Sequence, residues 1–311
     1  MPDFRSLIAH NKRNSYVLIV VFLLVFLGLG LLIGNVWGGG DMTFTILVAA
    51  IAGVVAFVMT LASYYGGSSA VLAMSGAKPI QKADDPQLFN VIEELSIAAG
   101  LPMPAIYVID DSAPNAFATG RDPKHSYVAI TTGLREKLNR DELQGVMAHE
   151  LSHVRNYDIL FATLMAVMVG VLVMLCDIFL RSMWWGAGSR RRRDRDEGGG
   201  SGGLQVVLLI VALALAIIAP ILAHIIQMAM SRQREYLADA SSVELTRNPA
   251  GLASALAKIA ADPDVLEVAS RATAHLYIVH PIKKFEERSG SIFDTHPPIQ
   301  ERVNRLMSMT R

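Results

Sequence analysis

The stretch HELSH, from His149 to His153, stands directly before a long apolar run that begins at Ile159. Two histidines four residues apart leave the same face of a helix, so His149 and His153 can bind one cation if residues 141–157 are helical. Glu150 stands beside them and can hold a water molecule on that cation. The sequence therefore predicts a metal site with an adjacent carboxylate at the very edge of a membrane-embedded segment.

The composition indicates a membrane protein. Hydrophobic residues make up 52% of the 311 residues and charged residues only 18%, whereas about a quarter of a soluble domain is charged. The net charge is zero, which gives no case for nucleic-acid binding, and the single Cys176 excludes an internal disulfide and a cysteine-rich zinc site. No Asp, Glu, Lys or Arg occurs in four windows long enough to span a bilayer, which are residues 14–40, 42–77, 159–176 and 198–231.

The first two windows predict a transmembrane hairpin, with segment 1 at residues 16–36 and segment 2 at residues 43–65. Because Arg5, Lys12 and Arg13 precede segment 1 and the connecting turn has no Lys or Arg, the positive-inside rule places the N-terminus in the cytoplasm. Segment 1 is longer than the apolar core of a cleavable signal peptide and no small-residue cleavage site follows it. It is therefore predicted to be a retained signal anchor.

The other two windows predict transmembrane segments 3 and 4, with an arginine-rich and glycine-rich loop between them. If both segments span, this loop with its six arginines lies outside the cytoplasm, against the positive-inside trend. The alternative is that both segments dip into the bilayer without crossing; we favour two crossings. The predicted organisation is a cytoplasmic N-terminus at 1–15, a transmembrane hairpin at 16–65, a cytoplasmic domain formed by 66–158 and 231–311 that carries the predicted metal site, transmembrane segments at 159–180 and 204–230, and a flexible loop at 181–203.

The soluble stretches predict a mostly helical domain with a small β-sheet. Asn139 and Glu142 resemble a capping box in front of the histidine-bearing helix, and that helix is expected to continue into segment 3. The fold class is therefore an α+β membrane protein with four transmembrane helices. Further helix starts are predicted at 85–86, 248–249 and 296–298, a helix end at Gly100, and strands at 105–109, 127–131 and, as a possible edge strand, 113–119.

The histidines and the glutamate match the needs of metal-assisted hydrolysis. A catalytic zinc site uses imidazole ligands, a further protein ligand and an open position for water. The metal lowers the pKa of that water, and a carboxylate takes its proton during attack on a carbonyl. His149 and His153 are the candidate ligands and Glu150 is the candidate general base. The alternative is a chance match on an ordinary helix, and cobalt or manganese would also bind such a site.

The best candidate for the third ligand is Glu235. The metzincin pattern is excluded, because Asn156 and Ile159 stand where that pattern needs Gly and His. The other class takes a carboxylate from a second helix, and a hairpin of segments 3 and 4 would return Glu235 to the level of the histidines. Asp239 lies one turn later and is a candidate acceptor for the free N–H of a metal-bound imidazole. The alternative for both carboxylates is a solvated helix face.

Four motifs occur in a specific order along the chain. They are Asn-Ala-Phe-Ala-Thr-Gly at 115–120, HELSH, Arg-Glu-Tyr-x-Ala-Asp at 234–239 and His-Pro-Pro at 296–298. Together with the four apolar segments, they resemble the HtpX family of membrane zinc endopeptidases, which is related to the CAAX prenyl endopeptidases. The resemblance implies a gluzincin-type site with one Zn²⁺ per chain, bound by His149, His153 and Glu235. Glu150 would be the general base, and Asp239 would accept a hydrogen bond from a zinc-bound imidazole.

The resemblance also implies a biological role. The chain would be a multi-pass protein of the cell inner membrane whose catalytic domain faces the cytoplasm. It would hydrolyse misfolded or damaged membrane proteins as part of quality control and the stress response. Its partners would be the lipid bilayer and polypeptide substrates, and the sequence gives no oligomeric state.

Two further site residues follow from the resemblance. Residues 115–119 would form an edge strand to which an extended substrate adds by main-chain pairing. Asn115 would donate to the substrate backbone or the oxyanion, the alternative being a turn residue after Pro114. His296 is the implied stabiliser of the tetrahedral oxyanion, the alternative being a surface histidine at a helix start.

Two other functions compete with proteolytic quality control. One is the processing of prenylated proteins, against which four apolar segments argue, because the prenyl enzymes have a large enclosed chamber. The other is a membrane scaffold or channel with a structural zinc ion. Glu150 discriminates against the scaffold, since a structural site has no use for a carboxylate beside its ligand.

Overall fold

The computed structural model describes residues 4–168, 170, 232–264, 266, 273, 276–279 and 297–309. The chain divides into two compact units. The first contains Met1–Tyr16, Ser63–Val167 and Ile226–Arg311, and the second contains Val17–Ala62 and Met168–Ile225. The second half of segment 3, segment 4, the arginine-rich loop and the helix start at His296 lie outside the described residues.

The described chain is mostly helical with one small mixed sheet, as predicted. In chain order the helices are α1 Phe4–Trp37, α2 Met42–Met74, α3 Pro86–Ala99, α4 Thr132–Lys137, α5 Arg140–Arg155, α6 Asp158–Met168, α7 Arg232–Thr246, α8 Pro249–Ala261 and α9 Ile299–Ser308. The strands are β1 Lys78–Pro79, β2 Ala105–Ile109, β3 Ala116–Asp122 and β4 His125–Thr131.

Two helices are long and apolar enough to cross a membrane. They are Ile8–Asn35, with mean hydropathy 3.2, and Met42–Met74, with mean hydropathy 2.6. Glycines allow the two helices to approach closely. A Cβ at Gly30 would lie 2.7 Å from the Ala52 Cβ, and one at Gly34 would lie 2.8 Å from the Thr45 Cα. Small residues spaced by four are a common way for membrane helices to bring their backbones together.

The helix α2 is longer than predicted, because it continues from Tyr65 to Met74. This extension packs against α6: a Cβ at Gly67 would lie 3.0 Å from the Thr163 side chain. The small residues that follow Tyr65 therefore serve helix packing and do not end the helix.

The sheet has the strand order β1-β2-β4-β3. The pairs β1–β2 and β3–β4 are antiparallel, and β2–β4 is parallel. The three predicted strands are present, and β3 lies at an edge as predicted. The two-residue strand β1 was not predicted, because Lys78 and Pro79 carry no β-branched or aromatic signal.

The helix α5 lies in the core between the sheet, α3, α7 and α8. The capping box at its start is confirmed: the Glu142 N–H donates to Asn139 Oδ1 at 3.0 Å, and the Asn139 N–H donates to Glu142 Oε2 at 2.9 Å. Close packing on α8 requires a glycine, since a Cβ at Gly145 would lie 2.7 Å from the Leu252 backbone nitrogen. The helix that carries both histidines is thus held rigidly.

The predicted continuation of α5 into segment 3 is wrong. α5 ends at Arg155 and α6 begins at Asp158, with Asn156 and Tyr157 between them. Tyr157 has φ of 61°, a left-handed conformation that costs a residue with a side chain about 1–3 kcal/mol. The break is stabilised from outside, because the Lys12 ammonium lies 4.1 Å from the centre of the Tyr157 ring.

Candidate metal centre

Three side chains meet beside α5 as potential metal ligands. The Nε2 atoms of His149 and His153 are 3.2 Å apart. The Glu235 carboxylate lies 3.6 Å from the His149 Nε2 and 3.7 Å from the His153 Nε2. The two histidines come from one face of α5, and Glu235 comes from the first turn of α7. The structure therefore brings the three sequence-predicted ligands together from two helices.

The spacing of these three groups fits one tetrahedral metal ion. Zinc binds histidine nitrogens at about 2.0–2.1 Å, so two nitrogens on one tetrahedral ion lie about 3.3 Å apart. The observed separation of 3.2 Å matches that value. Two imidazoles with one carboxylate leave a fourth position for water or substrate, which is the ligand set of catalytic zinc.

Each histidine is oriented by a carboxylate on its other ring nitrogen. The His149 Nδ1 lies 3.0 Å from Asp239 Oδ1, and the His153 Nδ1 lies 3.0 Å from Asp158 Oδ2. A proton on Nδ1 therefore satisfies the carboxylate in both cases and leaves Nε2 as the free lone pair. Carboxylates in this position fix the ring orientation and raise the basicity of the ligand.

The two imidazoles favour positive charge in the absence of a metal ion. Burial lowers the pKa of His153, but its hydrogen bond to Asp158 and the charge of Glu235 outweigh burial and raise this pKa to about 9. Burial likewise lowers the pKa of His149, and its hydrogen bonds to Asp239 and Glu235 raise it by more. The carboxylates around the site thus create a field that holds cations, whether protons or a metal ion.

Glu150 is buried directly beside these ligands, with 2% of its surface exposed. Burial raises the pKa of its carboxyl group, against the opposing charges of His149 and His153. A carboxylate with a raised pKa is a better proton acceptor near neutral pH. Its position on α5 and its chemistry both suit a general base.

Asp158 is a site residue that the sequence analysis did not identify. It lies at the first position of α6 and is 8% exposed. A straight helix would turn about 500° over the five residues from His153 and point Asp158 about 140° away. The break at Tyr157 therefore brings its carboxylate to His153, and no periodicity in the sequence indicates this.

Arg302 is a second such residue. Its side chain is fully buried, and its guanidinium donates two hydrogen bonds to Asp239, at 2.9 and 2.7 Å. It also donates to the Ile278 carbonyl at 3.1 Å and lies 3.5 Å from Glu235. One signal was available: Arg302 lies in the apolar stripe of α9 between Ile299 and Leu306, where a charge is expected to have a buried partner.

Asn115 is buried, and its side chain contacts the chain itself. Its Nδ2 donates to the Val279 carbonyl at 2.9 Å, while the Ile278 N–H donates to the Ala116 carbonyl at 3.0 Å. Residues 278–279 therefore pair with the start of β3 in this structure. The predicted contact of Asn115 with a substrate stays a prediction, and His296 lies outside the described residues.

Comparisons with known proteins identify the family of the chain. The profile of peptidase family M48 matches residues 82–310. The chain is 45% identical to a protease HtpX homolog of Thermoanaerobacter pseudethanolicus, over 97% of this chain and 96% of that one. It is 46% identical to a protease HtpX homolog of Listeria monocytogenes, over 97% and 98% of the two chains.

Among solved structures, the crystal structure of S. mikatae Ste24p matches with a TM-score of 0.47 and 19% identity. The match covers 97% of this chain, which spans 66% of the length of that protein. The family assignment rests on the profile and on the two full-length relatives. The chain therefore belongs to the HtpX group of peptidase family M48, a family of metallopeptidases.

Proposed function

We propose that the chain is an integral-membrane endopeptidase that depends on one Zn²⁺ per chain. His149, His153 and Glu235 would hold the ion, and Glu150 would act as general base. The observation that carries this proposal is a cluster of three potential ligands: the two Nε2 atoms are 3.2 Å apart, and the Glu235 carboxylate has Oε2 3.6 Å from the His149 Nε2 and Oε1 3.7 Å from the His153 Nε2. It leaves a coordination position open beside the buried carboxylate of Glu150.

The chemistry divides between the metal ion and the chain. When bound, zinc supplies a water molecule of lowered pKa and polarises the scissile carbonyl. Glu150 accepts the proton of that water and then delivers it to the leaving amine, which its raised pKa favours. Asp239 and Asp158 hold the two imidazoles in the tautomer that presents Nε2.

A structural zinc site is the main alternative, and Glu150 argues against it. A structural site is closed by four protein ligands, whereas the cluster of potential ligands in the described part of the chain has three members. Burying the carboxyl group of Glu150 to 2% exposure next to the site costs free energy, and a structural zinc site has no use for that group.

The proposed substrates are misfolded or damaged membrane proteins. The support is the hairpin α1–α2, which is apolar enough to cross a bilayer, together with the family of the chain.

We place the protein in the cell inner membrane with four spans and the domain of residues 66–158 and 231–311 in the cytoplasm. A reporter fused into the loop near residue 200 tests this: accessibility from outside the cell membrane is expected, and accessibility from the cytoplasm alone would overturn the four-span topology.

An extended substrate would pair with the outer edge of β3. Alternate residues of an antiparallel strand direct their main-chain groups to one side. Ala116 and Gly120 bond outward, to Ile278 and Thr163, so Ala118 between them is the residue that a substrate would meet. Asn115 is proposed to donate to the substrate backbone or the oxyanion, and His296 is proposed to stabilise the oxyanion.

The variant Glu150→Gln tests the proposal. It should bind zinc as the wild type does and cleave an unfolded polypeptide in detergent at least about 100-fold more slowly. The control is Glu94→Gln, which neutralises an exposed carboxylate on α3 that pairs with Arg140 and should cleave normally. Wild-type rates in Glu150→Gln would refute the mechanism, and cleavage of the wild type in the presence of a strong chelator would refute the need for a metal.

A further inference from the structure

The first turns of α1 lie against the metal centre, far from it in sequence. Asn11 precedes the apolar part of α1, which begins at Tyr16, and 4% of its surface is exposed. Its Nδ2 donates to the Asp158 Oδ1 at 2.6 Å and to the Asn156 carbonyl at 2.9 Å. The other oxygen of Asp158 accepts from the His153 Nδ1. A chain of hydrogen bonds therefore runs from α1 through Asp158 to a candidate metal ligand.

Asn11 bridges both sides of the break between α5 and α6. It bonds the last carbonyl before Tyr157 and the carboxylate directly after it. The neighbouring Lys12 covers the Tyr157 ring at 4.1 Å. Because Tyr157 is in a left-handed conformation, the break needs support from outside α5 and α6. The start of α1 supplies that support from two consecutive residues.

The bridging fixes which way Asp158 points. A carboxylate at a helix start has several rotamers, and only one reaches His153. The amide of Asn11 occupies Oδ1 and leaves Oδ2 for the imidazole. The Arg234 guanidinium, 3.7 Å from Oδ1, adds a positive charge on the same side of the carboxylate. The direction of Asp158 thus depends on an amide donor that belongs to the membrane anchor.

We propose that Asn11 is a positioning residue of the metal centre: it orients Asp158, which orients His153, so that the start of the first membrane helix forms part of the active site. The proposal rests on the proposed function in one respect, namely that His149, His153 and Glu235 hold a metal ion. It adds that a chain lacking the start of α1 binds this ion more weakly.

Metal affinity at one fixed pH tests the proposal, with the full chain in detergent and zinc in competition with a chelator. Loss of a carboxylate behind a metal ligand typically costs 10–100-fold in metal affinity, and Asp158→Asn should show this. Asn11→Ala should weaken zinc binding about tenfold. The matched control is Asn14→Ala, one turn further on α1, where the half-buried asparagine hydrogen-bonds to His10 at 3.0 Å; it should bind zinc within about twofold of the wild type.

A double-mutant cycle separates positioning from general destabilisation. If Asn11 acts through Asp158, adding Asn11→Ala to Asp158→Asn should cause no further loss of affinity. The absorption bands of the Co²⁺-loaded protein, which report ligand geometry, should shift in Asn11→Ala and stay unchanged in Asn14→Ala. Equal affinity and equal spectra for the two alanine variants, or full additivity in the cycle, would overturn the proposal.

Asn11→Asp covers the case in which the alanine variant does not fold. It keeps the volume of the side chain and replaces the donating amide by a carboxylate that repels Asp158, so zinc binding should weaken by more than in Asn11→Ala. Wild-type affinity in a folded Asn11→Asp variant would contradict the inference. Absence of zinc binding by the wild type would instead refute the proposed function.

Discussion

The apparent affinity of the metal centre for zinc should rise steeply between pH 6 and pH 9. Zinc binds neutral imidazole, so every protonated ligand must lose its proton first. With a pKa of about 9, His153 is neutral in about one molecule per thousand at pH 6 and in about half at pH 9. His153 alone therefore raises the apparent affinity about 500-fold over this range, and the raised pKa of His149 adds to the same trend.

Two histidines with the ordinary pKa of about 6.5 would give a much smaller change, about 17-fold in total. The assay is a zinc titration against a chelator of known pH dependence, at four pH values, with the protein in detergent. Calorimetry in buffers of different ionisation enthalpy should show about one proton released from His153 per zinc at pH 7, with a further contribution from His149. Asp158→Asn removes the negative charge that helps to raise the pKa of His153, so the pH dependence of its zinc affinity should be shallower. A wild-type change of about 17-fold or less would refute the reasoning.

Three further outcomes are expected. Without metal, the raised pKa of His153 contributes stability that is complete below pH 6.5 and is lost as the pH rises through about 9. The melting temperature of chelator-treated protein should therefore fall between these pH values, and a melting temperature that does not change with pH would contradict this. Glu235→Ala should lower bound zinc well below one ion per chain, and unchanged zinc by elemental analysis would move the third ligand elsewhere. Gly145→Ala should lower the free energy of unfolding by about 1–3 kcal/mol in denaturant titrations, because the added Cβ would lie 2.7 Å from the Leu252 backbone nitrogen. A loss of less than about 0.5 kcal/mol would show that α8 can move away from α5 at little cost.

The two histidines were predictable from the sequence as candidate ligands because their pairing depends on a local rule. His149 and His153 share a helix face through their spacing alone. Glu235 required a longer argument, in which a membrane hairpin returns the chain to the same level. The structure brings Glu235 to the histidines, while the hairpin itself lies outside the described residues.

Asp158 and Arg302 could not be found in the same way. The break that turns Asp158 toward His153 depends on Asn11, 145 residues away from Asn156 along the chain. Helix propensity and hydrophobic periodicity carry no information on such a contact. Arg302 is buried because Asp239, 63 residues away, neutralises it, and only the interruption of an apolar stripe marks it in the sequence.

The pairing of residues 278–279 with β3 also bears on how the domain protects the edge of its sheet. An edge strand with free N–H and C=O groups is a template on which another chain can add a strand. Here the Ile278 N–H bonds the Ala116 carbonyl at 3.0 Å, and the Gly120 N–H donates to the Thr163 hydroxyl at 3.2 Å. Both ends of the edge are thus occupied by the chain's own groups, which leaves the short stretch around Ala118 for pairing with a substrate and disfavours extended strand-to-strand aggregation between copies.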